Sequence, residues 1–592
     1  MTTARFDDLT PGYERAFALV DPIAVIEARR PDEVGGVLSA AEAAAERGSW
    51  VAGYVAYDAA PGLDADQTVA ARAADDPFVD LPLAWFTVFA DRRDVAPFEP
   101  SDPTSGARAV AAAWQPSVDR DEYDAAIARI RDLIAAGETY QVNHTMRMRA
   151  RLEGDARGLY RDLALAQRGG YAAYLSVGRY RVVSASPERF FRLDGDRVSA
   201  RPMKGTAARG RWLAEDEAIA ARLVASDKDR AENAMIVDLI RNDLGRLAVA
   251  GSVRTTSMFD PERYETVWQL TSTIEADLPP RTPLVDVFRA LFPSGSVTGA
   301  PKVATMRIIR ELEREPRGLY CGAVGFLAPP GASEPRASFN VAIRTVVVDT
   351  ASGVAEYGVG GGITYDSSPA AEYAEVLAKA QLLTAARPRF ELFETLFHDA
   401  HGFRHLDEHL ERLTASARYF GFRLDPEDAG AALEAAVGSN DPGPTRVRLV
   451  LRRDGSIRAE PSAPPPTGDA PVTVAIDREP VDPADIWLFH KTTLREPYER
   501  RRERRPDVDD VLLTNTWDEV TESTIANLGV RLDGRWWTPP VDAGLLAGTY
   551  RSALVRDGIL AERRVRTEEL AAAEELALVS SVRGWRPAVL VP

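Results

Sequence analysis

The chain has 592 residues, of which 45% are hydrophobic and 27% charged, and its formal net charge is −17. This length predicts about three to four globular domains, and the acidic balance argues against a nucleic-acid or membrane partner, because either would need a basic surface. The sequence has no run of eighteen apolar residues, no apolar N-terminal segment and only one cysteine. We therefore expect no membrane-spanning helix, no signal peptide, no disulfide and a cytoplasmic location.

From residue 118 the sequence alternates between helical and strand patterns, after a proline- and serine-rich stretch at 97–117 that we interpret as a surface connection. In chain order, the patterns predict a helix over 119–138, strands over 171–177 and 180–186, a hairpin over 190–200, a helix over 228–247, adjacent strands over 337–350 and 354–366, and a helix over 370–386. This order predicts a mixed α/β (α+β) fold.

A second unit is predicted to begin near residue 388, because the sequence ARPRF interrupts the preceding helix. The patterns that follow predict a helix over 405–422, strands over 445–455 and 472–478, and a proline-rich hairpin or loop at 459–471. We therefore divide the chain into an N-terminal subdomain (1–117), a second domain (118–386), a linker (387–390) and a C-terminal α/β domain (391–592).

Lysine is scarce in this chain, where only five of the 72 basic residues are lysine. Arginine stays protonated, so each remaining lysine is a candidate for amine chemistry, although codon bias explains any single one equally well. Lys204 follows Met203 and precedes a Gly-Thr turn. Partial burial there would lower the pKa of Lys204 and free its amine as a nucleophile, whereas the alternative is an ordinary surface lysine.

Glu188 lies in an otherwise apolar, strand-like segment, SASPERFF (184–191). A buried carboxyl has a raised pKa and can act as a general acid. From this segment alone we favour the alternative, a glutamate exposed to solvent at the edge of a sheet.

Two acidic pairs have the i, i+3 spacing that places both carboxylates on one helix face: Asp229 with Glu232, and Glu372 with Glu375. If the two pairs face each other across a cleft, they supply the hard oxygen ligands that Mg²⁺ prefers. Lys379 follows Glu375 by four residues and would share its face. The alternative for either pair alone is a solvated acidic stripe.

A glycine run, GVGGGIT (358–364), follows a predicted strand. It fits neither the dinucleotide fingerprint nor the phosphate-loop motif, but its backbone N–H groups could bind a carboxylate. A second glycine- and serine-rich loop is predicted at 293–302. Together with the lysines and acidic pairs, these segments predict a cleft for a small polyanion and Mg²⁺.

Eight segments in order resemble the chorismate-utilising enzymes: QVN (141–143), SASPERFF, RPMKGT (201–206), KDRAENAMIVDLIRNDLGR (228–246), PSGSVTGAPK (293–302), YCGAVGF (320–326), FNVAIRT (339–345) and GGGITYDSSPAAEYAEVLAKA (360–380). The resemblance covers roughly 118–386, with a weaker N-terminal subdomain before it. It implies a chorismate-binding fold with two packed β-sheets flanked by helices, and chorismate as the substrate.

The resemblance also implies residue roles. Aminodeoxychorismate synthases of this family carry lysine at the position of Lys204, where anthranilate and isochorismate synthases usually carry alanine. By analogy, Lys204 attacks C2 of the chorismate ring, Glu188 protonates the departing C4 hydroxyl, and ammonia then enters at C4. Glu232 and Glu375 match the family's Mg²⁺ ligands, supported by Asp229 and Glu372. The positions that match substrate-carboxylate contacts are Thr206, Tyr320, Arg344, Gly360, Gly361, Gly362 and Lys379.

Two further residues refine this prediction. Gln269 stands where many relatives have histidine, and glutamine cannot shuttle protons, so pyruvate elimination at this site is less favoured. Cys321 lies in what we interpret as a strand, whereas a glutaminase needs a nucleophilic cysteine at a strand–turn–helix. We therefore expect a separate glutamine amidotransferase subunit to supply ammonia.

The second unit carries Lys491 after a predicted strand, followed by Glu522 and by a loop that enters a helix at Gly548 and Thr549. Such a lysine could form a Schiff base with pyridoxal phosphate (PLP), and the helix start could bind phosphate, with Arg412 as a candidate partner. An ordinary domain with a surface lysine explains the residues equally well.

Six features stand in the order found in the fold-type IV PLP enzymes: FETL (393–396), HLERLTASA (409–417), Lys491, Glu522 with Asn527, LLAGTYR (545–551) and SSVRGWRPAV (580–589). About 391–585 therefore resembles that class, which implies a fold like that of D-amino-acid aminotransferase. The resemblance makes Lys491 the Schiff-base lysine and proton shuttle, pairs Glu522 with the pyridine nitrogen, and assigns phosphate binding to Arg412. The two halves then predict consecutive reactions: synthesis of 4-amino-4-deoxychorismate, and elimination of pyruvate from it to give 4-aminobenzoate for folate synthesis. The alternatives are a synthase with an inactive second unit, an anthranilate synthase, and a non-catalytic scaffold.

Overall fold

The computed structural model describes residues 3–98, 110–111, 113–384, 388–438, 443–466 and 470–592. The chain divides into two compact units: unit 1 is Met1–Ala208 with Ala220–Arg389, and unit 2 is Arg209–Ile219 with Phe390–Pro592. Most of the connection predicted at 97–117, and residue 387 of the predicted linker, lie outside the described residues. The placement of 209–219 in unit 2 is a feature that the sequence patterns do not predict.

The strands of unit 1 are β1 (Ala4–Asp8), β2 (Arg15–Ala28), β3 (Trp50–Val55), β4 (Ala84–Val95), β5 (Val110–Ala111), β6 (Gln115–Pro116), β7 (Gln141–Glu153), β8 (Tyr171–Val177), β9 (Tyr180–Ser186), β10 (Arg189–Asp194), β11 (Arg197–Arg201), β12 (Met203–Ala208), β13 (Arg254–Arg263), β14 (Val267–Asp277), β15 (Gly299–Ala300), β16 (Ala323–Leu327), β17 (Ala337–Val341), β18 (Thr345–Asp349) and β19 (Val354–Ile363). Its helices are α1 (Val34–Glu46), α2 (Arg120–Ala135), α3 (Ala156–Gln167), α5 (Asp227–Gly245), α6 (Leu284–Leu291), α7 (Lys302–Leu312) and α8 (Pro369–Ala380). Helix α4 (Leu213–Ala225) contains the division between the units at residue 219.

Hydrogen bonds join the strands of unit 1 into one network, so the strands of the two predicted sheets are continuous with each other. Buried apolar clusters pack against this network, and one of them includes side chains from α1, α5 and α6. Helix α2 contributes Tyr123, Ile127 and Ile130 to a second cluster, at the spacing of an amphipathic helix. The prediction of a mixed α/β fold is therefore confirmed.

Strand β19 positions the glycine run within unit 1. It pairs with β7 along its full length, from Val354↔Arg151 to Ile363↔Val142, but with β18 only as far as Tyr357. Helices α5 and α8, which carry the two acidic pairs, each begin at a serine whose side chain accepts a backbone N–H: Ser226 from Asp229, and Ser368 from Ala371. Such N-caps fix where the helices start and therefore which residues share a face.

The structure corrects three local predictions in unit 1. The strand predicted over 337–350 is two strands, β17 and β18, because the backbone at Arg344 is left-handed (φ 50°) and turns the chain between them. The loop predicted at 293–302 contains a 3₁₀ turn, Gly295–Val297, and is mostly buried. Cys321 lies in a turn just before β16 rather than in a strand.

Unit 2 contains two sheets in its described residues. The first consists of β20 (Leu392–Asp399), β21 (Gly402–Phe403), β22 (Thr445–Leu451) and β23 (Ile457–Ser462). The second consists of β24 (Val472–Ile476), β25 (Asp510–Thr514), β26 (Val520–Ser523), β27 (Asn527–Leu532), β28 (Arg535–Thr538), β29 (Ala561–Glu562), β30 (Glu575–Ser580) and β31 (Gly584–Leu590). The helices are α9 (Leu406–Phe420), α10 (Pro426–Val437), α11 (Glu496–Glu503) and α12 (Thr549–Arg556).

Helix α10 is absent from the sequence-based prediction, and Lys491 follows a 3₁₀ turn, Ile486–Phe489, in place of the predicted strand. The apolar run before Lys491 is short, and short apolar runs do not distinguish a strand from a helical turn. None of the helices in the described residues combines the length and the apolar composition needed to span a bilayer.

Candidate active sites

Unit 1 contains a cavity of 260 Å³ to which β12, β19, α5 and α8 all contribute. Every residue that the sequence analysis proposed for chorismate chemistry lines it: Glu188, Lys204, Thr206, Asp229, Glu232, Tyr320, Arg344, Gly360, Gly361, Gly362, Glu372, Glu375 and Lys379. Residues separated by almost 200 positions in the chain therefore meet at one site, while the role of each remains a prediction.

Lys204 is directed into this cavity by an irregularity in β12. The β12–β14 register shifts between Met203 and Thr206, and Gly205 adopts a positive φ of 95°. The side chain of Lys204 is 18% exposed, and its Nζ lies 3.4 Å from Glu232 Oε2. Gly362 leaves room for this amine, because a Cβ at that position would lie 2.5 Å from Lys204 Nζ.

Glu188 is 3% exposed, so the exposed position that we favoured from its segment is wrong. Ser296 Oγ donates a hydrogen bond of 2.6 Å to Glu188 Oε1. Burial raises the pKa of Glu188 to about 8, although Ser296 and Lys204 act in the opposite direction. The carboxyl therefore retains its proton at neutral pH and can serve as an acid.

In the cavity, one glutamate of each acidic pair forms an ion pair with a lysine: Glu232 of α5 with Lys204, and Glu375 of α8 with Lys379. Lys379 Nζ lies 2.8 Å from Glu375 Oε1 and donates to the carbonyl of Gly360 at 2.9 Å, so it shares the face of Glu375 as predicted. Burial alone would raise the pKa of Glu375, but the nearby lysines, Lys379 first, outweigh it and lower that pKa. Burial raises the pKa of Glu372, whose carboxylate accepts from Ser367 Oγ at 2.7 Å.

These carboxylates suit Mg²⁺ in their chemistry, since hard oxygens from two helices line one cavity. In the described part of the chain, however, no three such groups converge closely enough to hold a metal. The ion pairs Lys204–Glu232 and Lys379–Glu375 engage the carboxylates instead. Both ion pairs would have to open before Glu232 and Glu375 could bind a cation.

The predicted carboxylate-binding residues have more varied surroundings. Arg344 donates through Nη1 to Gln167 Oε1, and its burial lowers the pKa of the guanidinium. Thr206 Oγ1 accepts from Gln269 Nε2 at 3.3 Å. Tyr320 is buried with its ring against Gly358, where any Cβ would overlap that ring. Beyond Tyr357, β19 stays paired with β7, while its pairing with β18 ends.

Sequence analysis assigned no role to three polar residues at this site. Ser296 holds Glu188, and Asn143 lines the cavity while it donates to the carbonyl of Val297 at 3.0 Å. Among the described atoms, neither the oxygen nor the nitrogen of the buried Gln141 amide has a hydrogen-bond partner. A Cβ on Gly362 would lie 2.6 Å from Gln141 Nε2. All three residues belong to motifs that carry the family resemblance, QVN and PSGSVTGAPK. Membership of these motifs is the sequence signal that could have identified them as site residues.

Unit 2 contains a second cavity, of 380 Å³. All five residues predicted to bind a cofactor line it: Arg412, Lys491, Glu522, Gly548 and Thr549. Lys491 Nζ lies 4.9 Å from the centroid of the Phe393 ring. Burial, reinforced by Arg412, lowers the pKa of Lys491 to about 8, so the amine loses its proton much more readily near neutral pH than an ordinary lysine does.

Glu522 is buried on β26 and lies between two neutral donors. Tyr498 OH donates to Oε1 at 3.5 Å and Asn527 Nδ2 donates to Oε2 at 3.2 Å. Burial raises the pKa of Glu522 to about 8. A pyridine nitrogen is the kind of partner that such a carboxyl can share a proton with.

The start of α12 lines this cavity and could bind an anion. Its N-cap is Gly548, and no side chain caps its N–H groups. A Cβ on Gly548 would overlap Asn527 Oδ1, so a larger residue there would displace the Asn527 amide. Arg412 lies beside this helix start and donates to the carbonyl of Ala547 at 2.9 Å, while its Nε and Nη2 donate to Glu394.

Glu394 and His409 are the residues that sequence analysis missed here. His409 Nδ1 lies 2.7 Å from Glu394 Oε2, and its Nε2 lies 3.3 Å from Thr549 Oγ1. Arg412 and His409 together hold the pKa of the buried Glu394 well below its ordinary value, against the opposing effect of burial. The amine, the carboxyl and the helix start therefore match the three functional ends of PLP, and the residues present fit this cofactor.

Comparison with known proteins agrees with this geometry. Residues 3–385 match the model of the chorismate binding enzymes, and residues 391–591 match that of the class IV amino-transferases. Because the first match covers more than half of the chain, this protein belongs to the chorismate binding enzymes, and it carries a class IV aminotransferase domain after that region.

Individual relatives are more specific. The chain is 44% identical to aminodeoxychorismate synthase of Streptomyces griseus over 280 residues. This aligned region is 47% of this chain and 37% of that protein. It is 41% identical over 266 residues to aminodeoxychorismate synthase component 1 of Escherichia coli (strain K12), 45% of this chain and 57% of that protein. It therefore spans less than two thirds of these curated relatives. Among solved structures, a similar one is the crystal structure of anthranilate synthase component I from Streptococcus pneumoniae TIGR4, with a TM-score of 0.54 and 24% sequence identity. The matched region covers 63% of this chain and 92% of that chain, so the two share a fold.

Proposed function

We propose that unit 1 aminates chorismate to 4-amino-4-deoxychorismate, and that unit 2 converts this product to 4-aminobenzoate and pyruvate. The observation that carries the proposal is that an amine, Lys204, and a buried carboxyl with a raised pKa, Glu188, line one cavity. A hydroxyl is a poor leaving group until it is protonated, and a covalent intermediate divides a difficult displacement into two easier steps.

In the first step, the Lys204 amine attacks C2 of the ring and both ring double bonds shift, from C1=C2 to C1=C6 and from C5=C6 to C4=C5. The C4–O bond breaks as the oxygen takes a proton from Glu188 and leaves as water. Ammonia then attacks C4, both double bonds shift back, the C2–N bond to Lys204 breaks, and the new C4 ammonium returns a proton to Glu188. The ion pair between Lys204 and Glu232 must open first, so that the amine can lose its proton. Mg²⁺ held by Glu232 and Glu375, with Asp229 and Glu372 beside them, would neutralise a carboxylate of the substrate.

Arg344, Lys379 and the glycines at 360–362 line the same cavity, where the two cations and the backbone N–H groups would hold the substrate's carboxylates. The ammonia would come from a partner glutamine amidotransferase. Cys321, the one cysteine of the chain, is buried, and burial raises the pKa of its thiol to about 11, which does not suit a glutaminase nucleophile.

In unit 2, PLP when bound would supply an electron sink for bond cleavage. Glu522 would hold a proton at the pyridine nitrogen, and the N–H groups at the start of α12, with Arg412 beside them, would hold the phosphate. Lys491 Nζ would remove the proton from C4 of the ring, since its pKa of about 8 allows it to accept and release a proton near neutral pH.

The charge of the second cavity supports a substrate with more than one carboxylate, and 4-amino-4-deoxychorismate has two. Eight arginines line it: Arg412, Arg446, Arg448, Arg495, Arg502, Arg551, Arg583 and Arg586. Glu522 is the one carboxylate among these lining residues of the described chain. Burial and the charges of Arg586, Arg502 and Arg446 lower the pKa of Arg583, although Asp510 acts in the opposite direction.

The experiment is incubation of the full chain with chorismate, Mg²⁺ and ammonium, with and without added PLP, followed by product identification by mass spectrometry. We expect 4-amino-4-deoxychorismate without PLP, and 4-aminobenzoate with pyruvate when PLP is added. Lys204→Arg is the control, because it keeps the charge and removes the nucleophilic amine. Formation of anthranilate, or unchanged turnover by Lys204→Arg, would contradict the proposal; amination alone, with no effect of PLP, would limit it to unit 1.

A further inference from the structure

Residues Arg209–Ile219 follow β12 directly in the sequence but belong to unit 2 by their contacts. We call them the 209–219 segment. They lie within the region that matches the chorismate binding enzymes. Their contacts with residues beyond 390 are therefore contacts within unit 2. A role for the segment should accordingly be sought in unit 2.

The segment is held by both apolar and polar contacts. The Trp212 ring lies 5.1 Å from the Phe489 ring and packs against a buried cluster formed by Val481, Leu488, Phe489, Tyr498 and Leu513. Arg211 Nη1 donates to the carbonyls of Pro483, at 3.2 Å, and Asp542, at 3.3 Å. Tyr419 OH donates to the carbonyl of Gly210 at 2.7 Å. The ring contact holds the Trp212 side chain against unit 2, and the hydrogen bonds hold the segment in place at Gly210 and Arg211.

One of these backbone groups fixes the ring of His490. His490 Nε2 lies 3.0 Å from the carbonyl oxygen of Arg211, and Nδ1 lies 2.9 Å from Ser416 Oγ. Since a carbonyl only accepts, Nε2 carries the proton and Nδ1 accepts from Ser416. Burial lowers the pKa of His490 to about 3, so the ring stays neutral and keeps this arrangement over the physiological pH range.

His490 is the residue before Lys491, and Phe489, which contacts Trp212, precedes His490. Tyr498, in the cluster on which Trp212 packs, donates to Glu522. The 209–219 segment thus contacts neighbours of both the amine and the carboxyl of the second cavity, while none of its own residues lines that cavity among the described ones.

We propose that the 209–219 segment is a positioning element of the second site, which holds the Lys491 amine in its buried place through Phe489 and His490. The proposal depends on the proposed function in one respect, which is that Lys491 is taken as the catalytic amine of unit 2. Its physical basis is exclusion of water: without Trp212, the backbone before Lys491 loses its packing partner, and the amine gains access to solvent.

The test uses the full-length, cofactor-free protein and measures how fast Lys491 is acetylated at a series of pH values, by peptide mass spectrometry. In the wild type, labelling should rise with a midpoint near pH 8. In Trp212→Ala the midpoint should move toward the ordinary lysine value, with labelling at pH 8 at least about fivefold slower. Trp212→Phe, which keeps a ring against Phe489, should restore much of the wild-type profile.

Trp517→Ala is the matched control, because Trp517 is an exposed tryptophan of the same unit, 53% accessible. It should leave the profile unchanged, and chorismate amination by unit 1 should persist in every variant. An unchanged midpoint in Trp212→Ala would overturn the proposal. If Trp212→Ala does not fold, Tyr419→Phe decides, since it keeps the ring, removes the hydrogen bond to Gly210 and should shift the midpoint in the same direction by less. No shift there overturns the proposal. Because labelling needs neither PLP nor substrate, this result is independent of whether unit 2 makes 4-aminobenzoate.

Discussion

Burial changes the acid–base properties of three side chains that the proposed chemistry uses. It raises the pKa values of Glu188 and Glu522 to about 8 and lowers that of Lys491 to about 8. The direction differs because burial penalises the charged form, which is the carboxylate in one case and the ammonium in the other. All three groups can therefore exchange protons near neutral pH, as ordinary surface residues of the same types would not.

Glu188 provides the sharpest prediction at this scale. Glu188→Gln keeps the size of the side chain but cannot donate a proton, so amination should fall about 10²- to 10⁴-fold. In the wild type the acid is present below its pKa and lost above it, so the rate should decline as the pH rises through about 8. Rate measurements from pH 6 to 10 check both statements.

Ser296→Ala supplies the control for that profile. The hydrogen bond from Ser296 lowers the pKa of Glu188, so its removal should move the alkaline decline to higher pH without removing the acid. A profile that is flat in the wild type, or the same in Ser296→Ala, would contradict the assignment of this limb to Glu188.

At the scale of elements, the site of unit 1 depends on strand β19 and on the helices α5 and α8. N-caps set the start of each helix, so Asp229 and Glu232, and Glu372 and Glu375, project into one cavity. The glycines of β19 keep this side of the strand free of side chains, which leaves room for the amine of Lys204.

Gly362→Ala tests this role of β19. The new methyl would lie 2.5 Å from Lys204 Nζ, so the amine must move, and amination should fall by about 10²-fold, as for a misplacement of roughly 1 Å. Gly361→Ala is the matched variant: its methyl would meet only the mobile ends of Glu372, at 3.3 Å, and Lys379, at 3.7 Å, so its loss should be smaller. Steady-state kinetics of amination compare the two variants. If Gly362→Ala and Gly361→Ala lose the same activity, the space that Gly362 leaves for Lys204 does not explain the loss.

At the scale of the whole molecule, each unit has its own cavity and its own lysine. The first cavity lies entirely in residues of unit 1 and the second entirely in residues of unit 2. The proposed reactions are consecutive, so the loss of one site should have a distinct effect on the intermediate.

Two single variants separate the reactions. Lys491→Ala should leave amination intact and stop formation of 4-aminobenzoate, so 4-amino-4-deoxychorismate should accumulate in a full reaction with PLP present. Lys204→Ala should stop amination but still convert supplied 4-amino-4-deoxychorismate. Chromatography of both reactions checks this, and loss of both activities in either single variant would argue against two independent catalytic sites.

Much of the site could be predicted from sequence because its motifs are local. The spacing of Asp229 and Glu232 predicts a shared helix face, and the order of the motifs identified residues that all line one of the two cavities. The burial of Glu188 could not be predicted, because the residue that covers it, Ser296, lies far away in the chain. The ion pair of Arg412 with Glu394 and the break at Arg344 likewise depend on partners that periodicity does not reveal.

The sequence by itself therefore determined the two kinds of unit, the lysines and carboxylates available to them, and most of the helices and strands that carry these groups, since side-chain chemistry and periodicity are properties of neighbouring residues. Only the tertiary structure decided which of these groups are buried, what their pKa values become, and that residues 209–219 pack within the second unit. The physical reason is that burial and pairing arise from contacts between segments distant in sequence, and a local pattern carries no record of which segments meet.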